Sequence, residues 1–188
     1  MTVKIPPYRA ATDVTLLTHA LRPYRENCRY LVSSEVTAPD DSEALVVAAG
    51  DFEIPESCYI DDTGHFNSVE FNICFNQLSY YMVAKVIQDD LAEELSHWSL
   101  ADYWRTQLTN MLICDFQSSF RQPMSGRNFS GEVRLLKISK RESKRLGVPL
   151  IFLDTECRFS DSNGGNCSGA VKLAIVDTIA AQSSAADR

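Results

Sequence analysis

The sequence has no run of about 18 apolar residues, the length a helix needs to cross a bilayer, so it offers no membrane span. It has no C-x-x-C pair: Cys28, Cys58, Cys74, Cys114, Cys157 and Cys167 are scattered singly. That spacing argues against a zinc site and, in a cytosolic chain, against disulfides. There is no G-x-S-x-G, Walker motif, G-x-G-x-x-G or H-E-x-x-H, so no covalent nucleophile, nucleotide loop or metalloprotease pattern announces itself. Positive charge is scarce. The 18 Lys and Arg are outnumbered by 25 Asp and Glu, and the net charge of −7 disfavours a nucleic-acid partner. The opening "MTVKIPPYRAATDV" lacks an apolar signal core, and a cytoplasmic location is expected.

What is present is an ordinary globular composition, 45% hydrophobic and 23% charged over 188 residues, enough for one domain with a real core. Residues 13–21 read as a short helix ended by Pro23. Residues 29–38 and 43–54 read as strands joined by the turn-forming "PDDS". A long helix is predicted over 67–88, followed by a polar connector with some helical character. Next comes a strand with Leu112, Cys114, Phe116, Ser118 and Phe120 on one face. Strands over 129–140 and 149–159 follow, and "SDSNGGN" is a hairpin turn. The last strand alternates Val171, Leu173 and Ile175 against Ala170, Lys172 and Ala174. One long apolar helix among many strands predicts an α+β hot-dog fold, an antiparallel sheet wrapped around one central helix. A lipocalin-like barrel is the alternative, but it has no such helix. The domain is expected to span 1–178 with an N-terminal helical extension, and 179–188 to be a disordered tail.

The long helix carries polar residues in apolar company: Asn67, Glu70, Asn72, Asn76 and Gln77. Buried polar groups need partners. Asn67-x-x-Glu70 fits a capping box, with Phe66 and Phe71 at the staple positions. A helix N-terminus is equally a site for developing negative charge, so Asn67 and Glu70 admit both readings. Asn76 and Gln77 are either satisfied core amides or site groups. His65, behind the turn-forming "TG", is either a surface residue or a catalyst. Tyr24 and Tyr59 are either packing aromatics or hydroxyl donors.

The run "YIDDTGHFNSVEFNICFNQLSYY" resembles the FcoT family of hot-dog proteins. "RPYRENCRYLV", "WSLADYWRTQL", "FRQPMSGRNFSG" and "NGGNCSGAVKLA" extend the resemblance over most of the chain. The family is described as long-chain fatty acyl-CoA thioesterases and, in isonitrile lipopeptide pathways, as (2E)-enoyl-acyl-carrier-protein glycyltransferases. The positions matching its site are Tyr24, Tyr59, Asn67 and Asn76, with His65 and Glu70 inside the same run. The implied reaction is conjugate addition of glycine to the β-carbon of an enoyl thioester on an acyl-carrier protein. Hydrolysis then releases a 3-[(carboxymethyl)amino] fatty acid. Simple thioester hydrolysis is the other enzymatic reading, and a non-catalytic acyl-binding protein the third.

Conjugate addition puts negative charge on the thioester oxygen, where donors stabilise it. The helix N-terminal amides near Asn67 and the Tyr59 hydroxyl are the expected donors. His65 or Glu70 is expected to take the glycine proton. The glycine carboxylate needs a cation, for which Arg121 is the first choice and Arg29 the other. No step requires a metal or a redox cofactor. The resemblance also implies a homo-oligomer, a dimer or higher. A basic cluster, Lys137, Lys140, Arg141, Lys144 and Arg145, is either a solvated loop or a landing site for the acidic carrier.

Overall fold

The structure, a computed structural model, describes residues 7–39, 44–61 and 63–180. Seven strands form one antiparallel sheet: β1 (Tyr8–Ala10), β2 (Leu31–Ala38), β3 (Val46–Glu53), β4 (Met111–Gln122), β5 (Asn128–Ser143), β6 (Val148–Ser160) and β7 (Asn166–Val176). Their order is β1-β2-β3-β5-β6-β7-β4. Helix α1 (Val14–Leu21) precedes β2, α2 (Ser68–Gln88) follows β3, and α3 (Leu100–Asn110) leads into β4.

The shape follows from what α2 touches. Gln77 of α2 bonds the backbone entering β2, and Phe71 stacks edge-on against Phe116 and Phe120 of β4. Five strand spacings separate β2 from β4, about 24 Å in a flat sheet. A helix is only about 10–12 Å across. The sheet must therefore curl around α2, which is the expected hot-dog arrangement. The sequence permits this because α2 is apolar on most sides. Phe71, Cys74, Phe75, Leu78, Tyr81, Met82 and Val83 are all almost completely buried.

The helix starts where expected. Asn67 is the N-cap, Glu70 completes the capping box, and the Phe66 and Phe71 rings lie 6.3 Å apart. Gln77 is a core amide with every group used. Its Oε1 accepts from the backbone N–H of Tyr30 and of Leu31, both at 2.9 Å, and its Nε2 donates to the Cys28 carbonyl at 2.6 Å.

Three expectations change. Part of the polar connector is a true helix, α3, capped by Ser99 with Asp102; only Tyr103, Gln107 and Asn110 of it are buried, so its apolar period is weak. A bulge between Ile113 and Asp115 leaves Cys114 out of register. One extra residue exchanges the two faces of a strand. Phe116, Ser118 and Phe120 pair across from Val171, Gly169 and Cys167 on the helix side, while Leu112 lies opposite Ala174 and is 48% exposed. Thirdly, residues 179 and 180, expected in the tail, are helical together with 178; 181–188 lie outside the described residues, as do 40–43, most of the predicted "PDDS" turn.

Candidate functional site

Glu70 anchors the site. It is 4% exposed, at the first turn of α2, and its Oε2 accepts from the Asn67 N–H at 3.2 Å. Among the described residues its Oε1 accepts no hydrogen bond. Asn67 Oδ1 accepts from the Val69 N–H at 2.9 Å, the Glu70 N–H at 3.4 Å and the Tyr59 hydroxyl at 2.8 Å. The amide nitrogen of Asn67 makes no hydrogen bond among the described residues. Capping thus occupies one end of this side chain and leaves the donor end available. Tyr59 is carried there by its neighbour: the Cys58 N–H donates to the hydroxyl of fully buried Tyr30 at 3.1 Å.

Two cavities adjoin this helix start. A small one, of about 50 Å³, is walled by Gly64, His65, Glu70, Ser125, Gly126 and Arg127. A larger one, of about 480 Å³, is walled by Phe66, Asn67, Phe120, Pro123 and Met124, and it shares His65 with the first. The His65 Nδ1 lies 3.0 Å from the Thr63 carbonyl, which orients the ring between them.

The segment 123–127 lines both cavities and is fastened from three sides. The Phe66 N–H donates to the Met124 carbonyl at 2.8 Å, the Ile54 N–H to the Arg127 carbonyl at 3.0 Å, and the Ser125 N–H to Asp161 Oδ2 at 2.7 Å. The Ser125 amide, with others of the β6–β7 turn, holds the Asp161 carboxyl below the usual carboxylate range. The turn approaches closely because Gly165 has no side chain. A Cβ there would sit 2.5 Å from the Pro123 carbonyl oxygen and 2.6 Å from the Met124 Cα.

Asn76 lies further along α2, and Tyr24 lies in the connection between α1 and β2. Nine residues separate Asn76 from Asn67, about 14 Å along the axis. The Asn76 amide donates to Asn72 Oδ1 at 2.7 Å, and Tyr24 packs on Tyr80 with ring centroids 6.3 Å apart. Burial, reinforced by Tyr80, pushes the Tyr24 hydroxyl above its ordinary pKa, so it stays protonated and can donate but not act as a base. Asn67, Tyr59, His65 and Glu70 therefore come together, whereas Asn76 sits further along α2 and Tyr24 packs from outside that helix on Tyr80, one turn beyond Asn76.

The two expected cations do not reach the cavities. Arg121 is the bulged residue between Phe120 and Gln122 and is exposed, while Arg29 is exposed with its Nε on the Tyr24 carbonyl. Arg127 is the cation on the small cavity. The signal for it was the Gly- and Ser-containing "MSGRN" within a matched segment. The basic cluster is also divided. Lys140 pairs at 2.8 Å with Asp177, which is fully buried, and Arg141 lies over the Phe152 ring. Lys144 and Arg145 lie beyond the far end of β5, about 50 Å of chain path from the 123–127 segment. A carrier landing there would be far from this chain's own cavities.

Residues 19–175 match the FcoT-like thioesterase domain. A protein of Streptomyces coeruleorubidus named (2E)-enoyl-[ACP] glycyltransferase is 46% identical over 166 residues, covering 88% of this chain and 98% of that one. A protein of the same name from Mycobacterium tuberculosis is 40% identical over 165 residues, covering 86% of each. Among solved structures, a putative thioesterase from Shewanella oneidensis aligns with a TM-score of 0.49 at 7% identity, over 87% of this chain and 96% of that one. With its family match spanning most of the chain and relatives this similar at nearly full length, the protein is a member of the FcoT-like thioesterase domain family.

Proposed function

We propose that this protein is a (2E)-enoyl-[acyl-carrier-protein] glycyltransferase of the cytoplasm. It adds glycine to the β-carbon of the carrier-bound enoyl thioester and then hydrolyses the thioester to release a 3-[(carboxymethyl)amino] fatty acid of isonitrile lipopeptide synthesis. The observation that carries this reading is the amide nitrogen of Asn67. It is a donor without a protein partner among the described residues, set at the N-terminus of a 21-residue helix on the wall of the larger, apolar cavity. A thioester oxygen placed there meets the Asn67 amide and the positive end of the helix as enolate charge develops. Tyr59 is the second donor once its hydroxyl leaves Asn67 Oδ1. Asn76, further along α2, and Tyr24, packed on Tyr80 of that helix, contact the substrate away from the thioester oxygen. The half-exposed face of α2 around Val69 and Ile73, and the twelve-residue edge strand β4, suit pairing with a second copy, so the working form is a homo-oligomer.

The competing reading is plain thioester hydrolysis, favoured by the buried Glu70 beside a small cavity with room for an attacking water. The two differ in what they demand of the acyl chain. Conjugate addition needs the double bond; hydrolysis does not. Thiol release from enoyl and saturated carrier substrates, each with and without glycine, tests this. Glycine is expected to accelerate release from the enoyl substrate alone. Equal, glycine-independent release from both substrates would establish the thioesterase reading instead.

A further inference from the structure

Glu70 is more buried than capping requires. Carboxylates this deeply buried are almost always paired, yet among the described residues Oε2 takes one 3.2 Å hydrogen bond and Oε1 none. The small cavity lies directly over this carboxylate. Its far wall is the segment 125–127, whose backbone is fixed: the Arg127 N–H donates to Ser125 Oγ at 3.3 Å and its carbonyl is held by Ile54. An exposed arginine is ordinarily a solvated charge. Arg127 differs in standing on a pinned backbone, on the same cavity as a buried carboxylate. The cavity thus offers one anionic and one cationic group, the pattern that a small zwitterion matches. Its volume of about 50 Å³ is also apt. A water needs about 10–15 Å³ of such space, giving room for roughly three to five water-sized groups, close to the heavy-atom count of glycine.

We propose that this cavity is the amino-acid subsite: Arg127 holds the glycine carboxylate, and Glu70 holds the glycine amine and takes its proton. The assignment rests on the glycyltransferase reading and deepens it. A guanidinium has five N–H donors in a fixed fork and can grip a carboxylate while keeping other contacts. The chemical step balances without a further reactant. The glycine ammonium gives a proton to Glu70 Oε1, and its freed lone pair forms the N–Cβ bond. The Cα=Cβ electron pair moves toward the thioester carbonyl as an enolate, whose oxygen takes the Asn67 hydrogen bond. Glu70 then returns the proton to Cα and regenerates its carboxylate. His65, shared by both cavities, borders the place where amine and enoyl chain meet.

The test varies the amine. With the full chain, a (2E)-enoyl carrier substrate and titrated glycine, Arg127→Gln is expected to raise the KM for glycine at least about tenfold and leave that for the carrier substrate unchanged. With methylamine, which lacks the carboxylate, parent and Arg127→Gln should behave alike. Gly126→Ala is the second variant. Its Cβ would stand 3.9 Å from Glu70 Oε2 and 3.8 Å from the Phe66 nitrogen, ordinary contacts that narrow the cavity without disturbing the fold. It too is expected to raise the glycine KM selectively. If the parent consumes glycine and Arg127→Gln does so with the same KM, or loses methylamine equally, the subsite is wrong and the glycyltransferase reading stands. If the parent consumes no glycine, both fall.

Discussion

Asn67 shows how one residue serves fold and chemistry with separate atoms. Its Oδ1 accepts three hydrogen bonds and fixes the helix start, while its Nδ2, without a hydrogen bond among the described residues, is a donor on a residue that lines the apolar cavity. Substitution to alanine would remove both and confound them. Asn67→Asp keeps a good N-cap acceptor, and the helix N-terminus favours its charge. Thermal stability of this variant is expected to match the parent closely. Its kcat/KM on the enoyl carrier substrate should fall by about 10²–10³, the usual cost of one lost oxyanion donor. Parent-like turnover in folded Asn67→Asp protein would remove Asn67 from catalysis. Gln77, ten residues on, is the opposite case. All its bonds go to the backbone of residues 28, 30 and 31, so its polarity serves the attachment of α2 to β2.

At the scale of elements, the site depends on two connections meeting: the segment 123–127 and the β6–β7 turn. Gly165 makes their approach possible. In Gly165→Ala the new Cβ would strike backbone atoms, which cannot swing aside, so the 123–127 segment must move. The expected cost is about 1–3 kcal/mol of stability in urea unfolding. Activity should fall on the order of ten- to a hundredfold, because Ser125, Gly126 and Arg127 move with the segment. Legibility in the sequence follows the range of the contacts. The capping box, the staple and the 67–88 helix depend on residues a few positions apart, and local spacing disclosed them. So did the alternation in β7, where Val171, Leu173 and Ile175 are buried. The bulge at Cys114 left no local mark, and counting by twos placed Leu112 on the wrong face. Arg127 reaches Glu70's cavity only because β4, β5 and α2 converge, and pairwise spacing holds no trace of that. Arg121, six residues earlier and equally charged, falls at the second bulge of β4 and is exposed.

At the scale of the whole molecule, Asp177 ties distant parts together. Its buried carboxylate accepts from His97 Nε2 at 2.9 Å, Lys140 Nζ at 2.8 Å and the Ala180 N–H at 3.1 Å, joining the approach to α3, strand β5 and the chain beyond β7. Burial alone would raise its pKa, but the Lys140 and His97 bonds outweigh burial and hold it below the ordinary aspartate value. A depressed carboxyl stabilises the fold above its unfolded pKa of about 3.9 and loses that contribution as pH falls through the lower folded value. Stability should therefore be level in this respect above about pH 5 and decline below about pH 4. Asp177→Asn should cost about 2 kcal/mol at neutral pH and flatten that acid decline, as read by urea unfolding across pH. Lys140→Glu should likewise unfold the protein more readily, so carrier docking is better probed at Lys144 and Arg145. The central claim, that this hot-dog protein forms a carbon–nitrogen bond, is tested most directly by mass spectrometry of the acyl product made from a (2E)-enoyl carrier substrate and glycine. The account predicts an acid heavier than the free enoic acid by one glycine, carrying the nitrogen label when ¹⁵N-glycine is supplied. Free enoic acid as the sole product, with no label incorporated, would contradict it.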